Sequence, residues 1–178
     1  QEICCAIFVD GAARNMRALF LGLGGVGQRH LRNLRSLVPD VQIAAVRSQG
    51  RIFEINNDFS IDDSVDLIEK YGVEIFPSLE VAMDTQPDFA IVANPTSLHC
   101  ATARALVEKG IPVFLEKPIG TADDDAESLA KLSREKEVPV MVAYQLRYHP
   151  CVRKAKEWID SGRLGRIQSA EARVHSYM

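Results

Sequence analysis

No apolar run in the 178-residue sequence approaches the ~20 residues that a membrane-spanning helix needs, so no membrane partner is expected. The short run Ile3 to Val9 follows Gln1-Glu2 instead of a basic segment, and it does not read as a signal peptide. Cysteine is sparse. Cys4, Cys5, Cys100 and Cys151 match no zinc pattern and no Cys-x-x-Cys pair, so no metal site is expected. So few thiols at this length do not make a disulfide scaffold, and reduced thiols in the cytoplasm are the simplest account. A basic excess is also missing. Lysine plus arginine number 21 against 24 aspartates plus glutamates, a net charge of −3. Nucleic-acid binders show a basic patch or stripe. The one candidate stripe, Arg29, Arg32 and Arg35, reads as a solvated helix face, so no nucleic-acid partner is expected. No Gly-Lys-Ser or Gly-Lys-Thr follows the glycine cluster, which excludes a P-loop. Internal repeats and low-complexity tracts are absent too.

What is present is an ordinary core: 47% of residues are apolar and 25% charged, as in a soluble domain. The length suits one domain, or one domain plus the start of another. Residues 1–15 stand apart as an N-terminal extension or added segment, with an extra edge strand as the alternative. From Met16 strands and helices alternate. Apolar runs predict strands over 17–24, 41–46, 73–76, 88–94, 112–116 and 139–145. Helical spacing, stops and caps predict helices over 26–38, 60–72, 78–84, 97–110 and 121–137. Ser78 is the expected N-cap of the third helix, and Thr121 with Asp124 resembles a capping box for the last. Strands alternating with helices in this way argue an α/β fold, a doubly wound parallel sheet covered on both faces. After Tyr148 the texture changes. Val152, Ala155, Trp158 and Ile159 predict a helix over 151–162, and 165–178 alternates as a half-buried strand does. Residues 16–148 therefore read as one domain, and 149–178 as the start of a truncated second α/β domain.

Four clusters carry chemistry. Gly22, Gly24 and Gly27 satisfy Gly-x-Gly-x-x-Gly, with Gly25 and Val26 between them. The pattern follows an apolar strand and opens an amphipathic helix, the context in which it binds a dinucleotide. The first glycine permits the turn, the second lets backbone approach a pyrophosphate, and the third packs helix on strand. The second strand then ends Val46-Arg47-Ser48-Gln49-Gly50-Arg51, with no carboxylate for a ribose diol. Arg47, Ser48 and Arg51 suit a 2′-phosphate instead, so NADP is preferred over NAD. Asn94, Pro95 and His99, in NPTSLH, stand where the fourth strand runs out, at the crevice edge of such a sheet. Glu116-Lys117-Pro118 ends the next strand. Charges there meet ligand and water, and a lysine whose ammonium is partly buried suits proton transfer.

The order GxGGxG, NPxxxH, GxxVxxEKP and AYQLRYHP resembles the glucose–fructose oxidoreductase/inositol dehydrogenase/MocA family, over Met16 to Met178. The resemblance implies a Rossmann domain followed by a C-terminal α/β domain whose open sheet forms much of the substrate site and the homo-oligomer interface. It implies an NAD(P)-dependent dehydrogenase acting on the carbinol or ketone carbon of a small sugar-like substrate, sugar nucleotide or polyol. By the same resemblance Lys117 meets the reacting substrate, Glu116 lies near the nicotinamide ribose, the Lys117–Pro118 bond is cis, and Asn94, Pro95 and His99 run along the cofactor. Gln145 stands where the family usually has asparagine, while Arg147 matches. The family's further aspartate and histidine belong to the C-terminal domain and are not assigned to His149 or His175. Two other readings are an inactive NADP-binding module and a Rossmann-type transferase.

Overall fold

The computed structural model describes residues 16–47, 53–56, 58, 60–122 and 125–173. The proposed extension, residues 1–15, lies outside them. Two compact units divide between Ala143 and Tyr144. In chain order the first holds β1 (Arg17–Leu21), α1 (Gly25–Leu37), β2 (Gln42–Val46), β3 (Phe53–Ile55), β4 (Ile61–Asp66) and α2 (Leu67–Tyr71). It continues through β5 (Val73–Phe76), α3 (Leu79–Met83), β6 (Phe89–Val92), α4 (His99–Glu108), β7 (Val113–Leu115), α5 (Ala126–Lys136) and β8 (Val140–Val142).

Six strands form one sheet in the order β5-β2-β1-β6-β7-β8, every pair parallel. The chain builds outward from β1 to β5, then returns to β6 on the other side of β1. That reversal is the switch point at which open α/β sheets bind ligands, beyond the carboxyl ends of the strands. The expected doubly wound parallel fold is what forms.

Both faces of the sheet are buried, which is why its strands read as unbroken apolar runs. Along β1 the side chains alternate between two cores. Ala18 and Phe20 join Leu31 of α1 and Leu67 of α2. Leu19 and Leu21 join Leu106 and Val107 of α4 and Leu129 of α5. Burying a side chain such as Phe20 or Leu19 contributes about 1.5–3 kcal/mol.

Four local expectations change. The helix expected over 60–72 is helical only from Leu67. Asp66 stops it from starting earlier, since its carboxylate accepts the Ile68 N–H at 2.9 Å as an N-cap. Upstream, β4 pairs antiparallel with the unpredicted β3. The helix expected from 121 starts at Ala126, because Asp125 accepts the Ser128 N–H at 2.9 Å and caps it there; Asp124 lies outside the described residues. Ser78 does cap α3, accepting from the Val81 N–H. Of the arginine stripe, Arg29 is exposed as expected, but Arg32 and Arg35 are not solvated. Arg35 donates to the carbonyls of Pro39, Val41 and Tyr71 at 2.7–2.8 Å, and Arg32 to that of Ile55 at 3.0 Å.

The second unit holds a 3-10 turn (Gln145–Tyr148) and α6 (Pro150–Asp160), capped by His149 through the Cys151 N–H. The strand expected over 165–178 does not form over 165–173, all of them exposed; 174–178 lie outside the described residues. Alternation alone does not make a strand without a partner for its backbone groups, and this unit offers none among its described residues.

Candidate functional site

The glycine turn lies between β1 and α1, at the switch point. Gly22 has φ +104°, open to glycine at little cost. A Cβ there would run into the Ala93 carbonyl and lie 2.7 Å from the Asn94 nitrogen, so the turn rests directly on the end of β6. A Cβ on Gly27 would overlap the Gly22 carbonyl oxygen, which is how the first turn of α1 packs onto the strand. Gly24 is different: it is exposed, and a Cβ there would meet nothing within 4 Å. It is the N-cap of α1 without a side-chain cap, and no acidic residue stands in the first turn. Val26, next in that turn, is exposed. A bare helix N-terminus beside backbone open to close approach is the donor set a pyrophosphate needs. The residues present therefore fit a dinucleotide.

On the β2 side, Arg47 is half-buried, and its N–H donates to the Phe76 carbonyl at 2.9 Å. Ser48 and Arg51 lie outside the described residues.

On the other side, β6 and β7 end together. Asn94 donates through Nδ2 to the Thr102 hydroxyl at 3.0 Å, while its Oδ1 is buried with no partner. Pro95 beside it is exposed. His99, only 2% exposed, places Nδ1 2.7 Å from the Pro118 carbonyl and Nε2 2.9 Å from the Asn94 carbonyl. Its ring thus straps NPTSLH to Lys117–Pro118, whose peptide bond is cis. That geometry makes His99 a brace between two loops.

Glu116 and Lys117 part company at the end of β7. Glu116 turns inward, 8% exposed, with Oε1 2.6 Å from His30 Nε2 of α1 and Oε2 accepting the Lys117 N–H at 3.0 Å. Phe114 meets the His30 ring edge-on, centroids 5.2 Å apart. Lys117 is exposed. The charge pair is therefore no surface ion pair: one member holds the loop, the other faces outward. His30 was missed by sequence reading. Its position three residues past Gly27, on a helix whose start is fixed by the turn, is the only signal it left. Gln28, buried and also missed, ties the turn to β3. Gln145 and Arg147 are exposed in the 3-10 turn of the second unit. Gly22, Gly27, His30, Asn94, His99, Glu116 and Lys117 thus line one carboxyl-end edge. Among the described residues no cluster of His, Cys, Asp and Glu could hold a metal ion, and no helix is long and apolar enough to cross a membrane.

Comparison with known proteins agrees with the fold. The model of an oxidoreductase family, NAD-binding Rossmann fold, Gfo/Idh/MocA, matches residues 16–144. The scyllo-inositol 2-dehydrogenase (NAD(+)) of Bacillus subtilis is 28% identical over 153 residues, covering 85% of this chain and 42% of that protein. The structure of myo-inositol 2-dehydrogenase from Lactobacillus plantarum superposes with TM-score 0.66 at 25% identity, over 86% of this chain and 43% of the other. The WlbA dehydrogenase from Bordetella pertussis, solved with NADH and UDP-GlcNAcA, shares the fold with TM-score 0.68 at 23% identity, over 88% and 43%. The chain spans less than half the length of each of these relatives.

Proposed function

We propose that this chain, which belongs to the Gfo/Idh/MocA oxidoreductase family with its NAD-binding Rossmann fold, is the cofactor-binding part of an NAD(P)-dependent dehydrogenase. The complete protein acts on a CH–OH or ketone carbon of a sugar, sugar nucleotide or polyol. The observation that carries this reading is the shared edge: an uncapped α1 N-terminus behind the open side of Gly24, with the exposed Lys117 on the same row of strand ends. The inositol and UDP-sugar dehydrogenases among its relatives support the substrate class.

When bound, the dinucleotide supplies the hydride donor or acceptor. The chain's own residues do the rest. Backbone N–H groups of Gly25 and Val26 hold the phosphates. Asn94 Oδ1 offers a buried acceptor along the cofactor. Glu116, pinned by His30, keeps its remaining lone pairs for a ribose hydroxyl. Lys117 moves the proton to or from the substrate oxygen. Residues 149–178 begin a second domain, and the complete protein is a cytoplasmic homo-oligomer.

NADPH fluorescence titrated against residues 1–178 should show saturable binding without robust turnover. Folded protein that does not bind would overturn the cofactor assignment. NADP is the preferred cofactor because no carboxylate follows β2, while Arg47 does. Arg47→Asp should then weaken NADPH about 10- to 100-fold, the loss of a charge-assisted bond replaced by repulsion, and NADH far less. An equal loss for both cofactors would defeat the 2′-phosphate reading.

A further inference from the structure

Gln28 is a buried polar residue that the chemistry above does not use. It is 1% exposed, in the first turn of α1. Its Nε2 donates to two carbonyls, Leu23 in the glycine turn at 3.1 Å and Phe53 in β3 at 2.9 Å. Its Oε1 accepts the Ile55 N–H at 2.7 Å. Both amide hydrogens and an acceptor lone pair are therefore spent on backbone. One turn on, Arg32 donates to the Ile55 carbonyl at 3.0 Å. A two-stranded ribbon leaves each strand one edge of unpaired backbone groups. Here α1 takes the place of a third strand, with side chains satisfying the outer edge of β3. The ribbon is thereby keyed to the glycine turn. Ile55 completes the contact: its Cγ2 lies 3.8 Å from where a Gly25 Cβ would stand, so β3 packs against the turn itself.

The position of β3 then says what it serves. It follows β2 in the chain, β2 lies on the side of β1 opposite β6 and β7, and β3 itself meets the first turn of α1. The β2 side of the switch point takes the adenosine half of a dinucleotide, and the β6–β7 side carries Asn94, Glu116 and Lys117. We infer that β3, through Ile55, is a wall of the adenosine half of the site, and that Gln28 is the residue that positions it. The inference rests on the dinucleotide reading above. It explains why a helix start spends a buried amide on three backbone groups of the turn and of β3, which leucine would leave without that partner.

The test uses ADP-ribose, which carries the adenosine half without nicotinamide, titrated calorimetrically against residues 1–178, with a thermal melt of each variant. Gln28→Leu and Ile55→Ala should each weaken ADP-ribose by about tenfold, the scale of a few lost contacts. The double variant should bind no worse than Gln28→Leu, since both act through one wall and cannot add. A purely structural Gln28 would lower the melting temperature and leave the affinity of folded protein unchanged, which overturns the inference. Ile55→Ala leaves the backbone bonds in place, so unchanged ADP-ribose affinity there overturns it even where Gln28→Leu does not fold. If the unsubstituted chain binds NADPH and both variants bind like it, only this inference fails. If the folded unsubstituted chain binds neither ligand, the dinucleotide reading fails and takes the inference with it.

Discussion

Replacing Lys117 with alanine in the complete protein is expected to cut turnover by about 10²- to 10⁴-fold, the usual worth of a positioned acid–base group, while NADPH affinity stays near its original value. The argument lies in how the end of β7 divides its two charges. Glu116 is committed inward to His30 and to the Lys117 N–H. Lys117 extends outward, where its ammonium can reach a substrate oxygen and exchange with solvent. The backbone on both sides is clamped: Glu116 Oε2 holds the Lys117 N–H at 3.0 Å, and His99 Nδ1 meets the Pro118 carbonyl at 2.7 Å. The stem of the lysine therefore starts from a fixed point, which is what orientation requires. Lys117→Arg separates charge from proton transfer, since a guanidinium keeps the charge and does not give up its proton near neutrality. Both variants should be slow. Full activity in Lys117→Arg would leave Lys117 only an electrostatic role, and full activity in Lys117→Ala would remove it from the chemistry.

The elements that hold this site were legible because their signals are local. A strand buried on both faces is an apolar run, and Gly22, Gly24 and Gly27 each answer to a different steric demand of one turn. What stayed hidden depends on partners far away in sequence. His30 meets Glu116 across 86 positions, and Gln28 meets Phe53 across 25. Neither residue differs in type from a solvated helix residue, so periodicity cannot mark it. Arg32 and Arg35 were misread for the same reason: carbonyls at the ends of other elements, not water, receive their guanidinium groups. The segment 60–72 failed differently. Val65, Ile68 and Tyr71 have helical spacing, but Asp62 and Asp66 bond the N–H groups of Ser64 and Ile68, and such local bonds compete with a helix. The short β3 then supplies β4 with a ladder, which spacing within 60–72 could not reveal.

Two alanine substitutions in the glycine turn should fail in opposite ways. Gly27→Ala places a methyl group on the Gly22 carbonyl oxygen, which is backbone and cannot swing aside. Overpacking of this kind costs about 3 kcal/mol, a fall in melting temperature of about 6–12 °C for a chain of this size. Gly24→Ala places its methyl where nothing stands within 4 Å. The backbone there, φ −73° and ψ −174°, is one that alanine adopts without strain. Stability should change by no more than about 1 kcal/mol, the scale of an N-cap exchange. NADPH affinity should nonetheless fall at least about tenfold, ~1.4 kcal/mol, because the methyl occupies the space through which backbone approaches the phosphates. Melting curves and NADPH titrations of both variants check the pair. If Gly24→Ala binds NADPH like the unsubstituted chain, the open side of Gly24 is not the phosphate face. If Gly27→Ala melts unchanged, the helix does not rest on the strand end at that point. The contrast matters more than either value, because an empty side and a crowded side of the same turn are what separate a phosphate cradle from a glycine-rich bend.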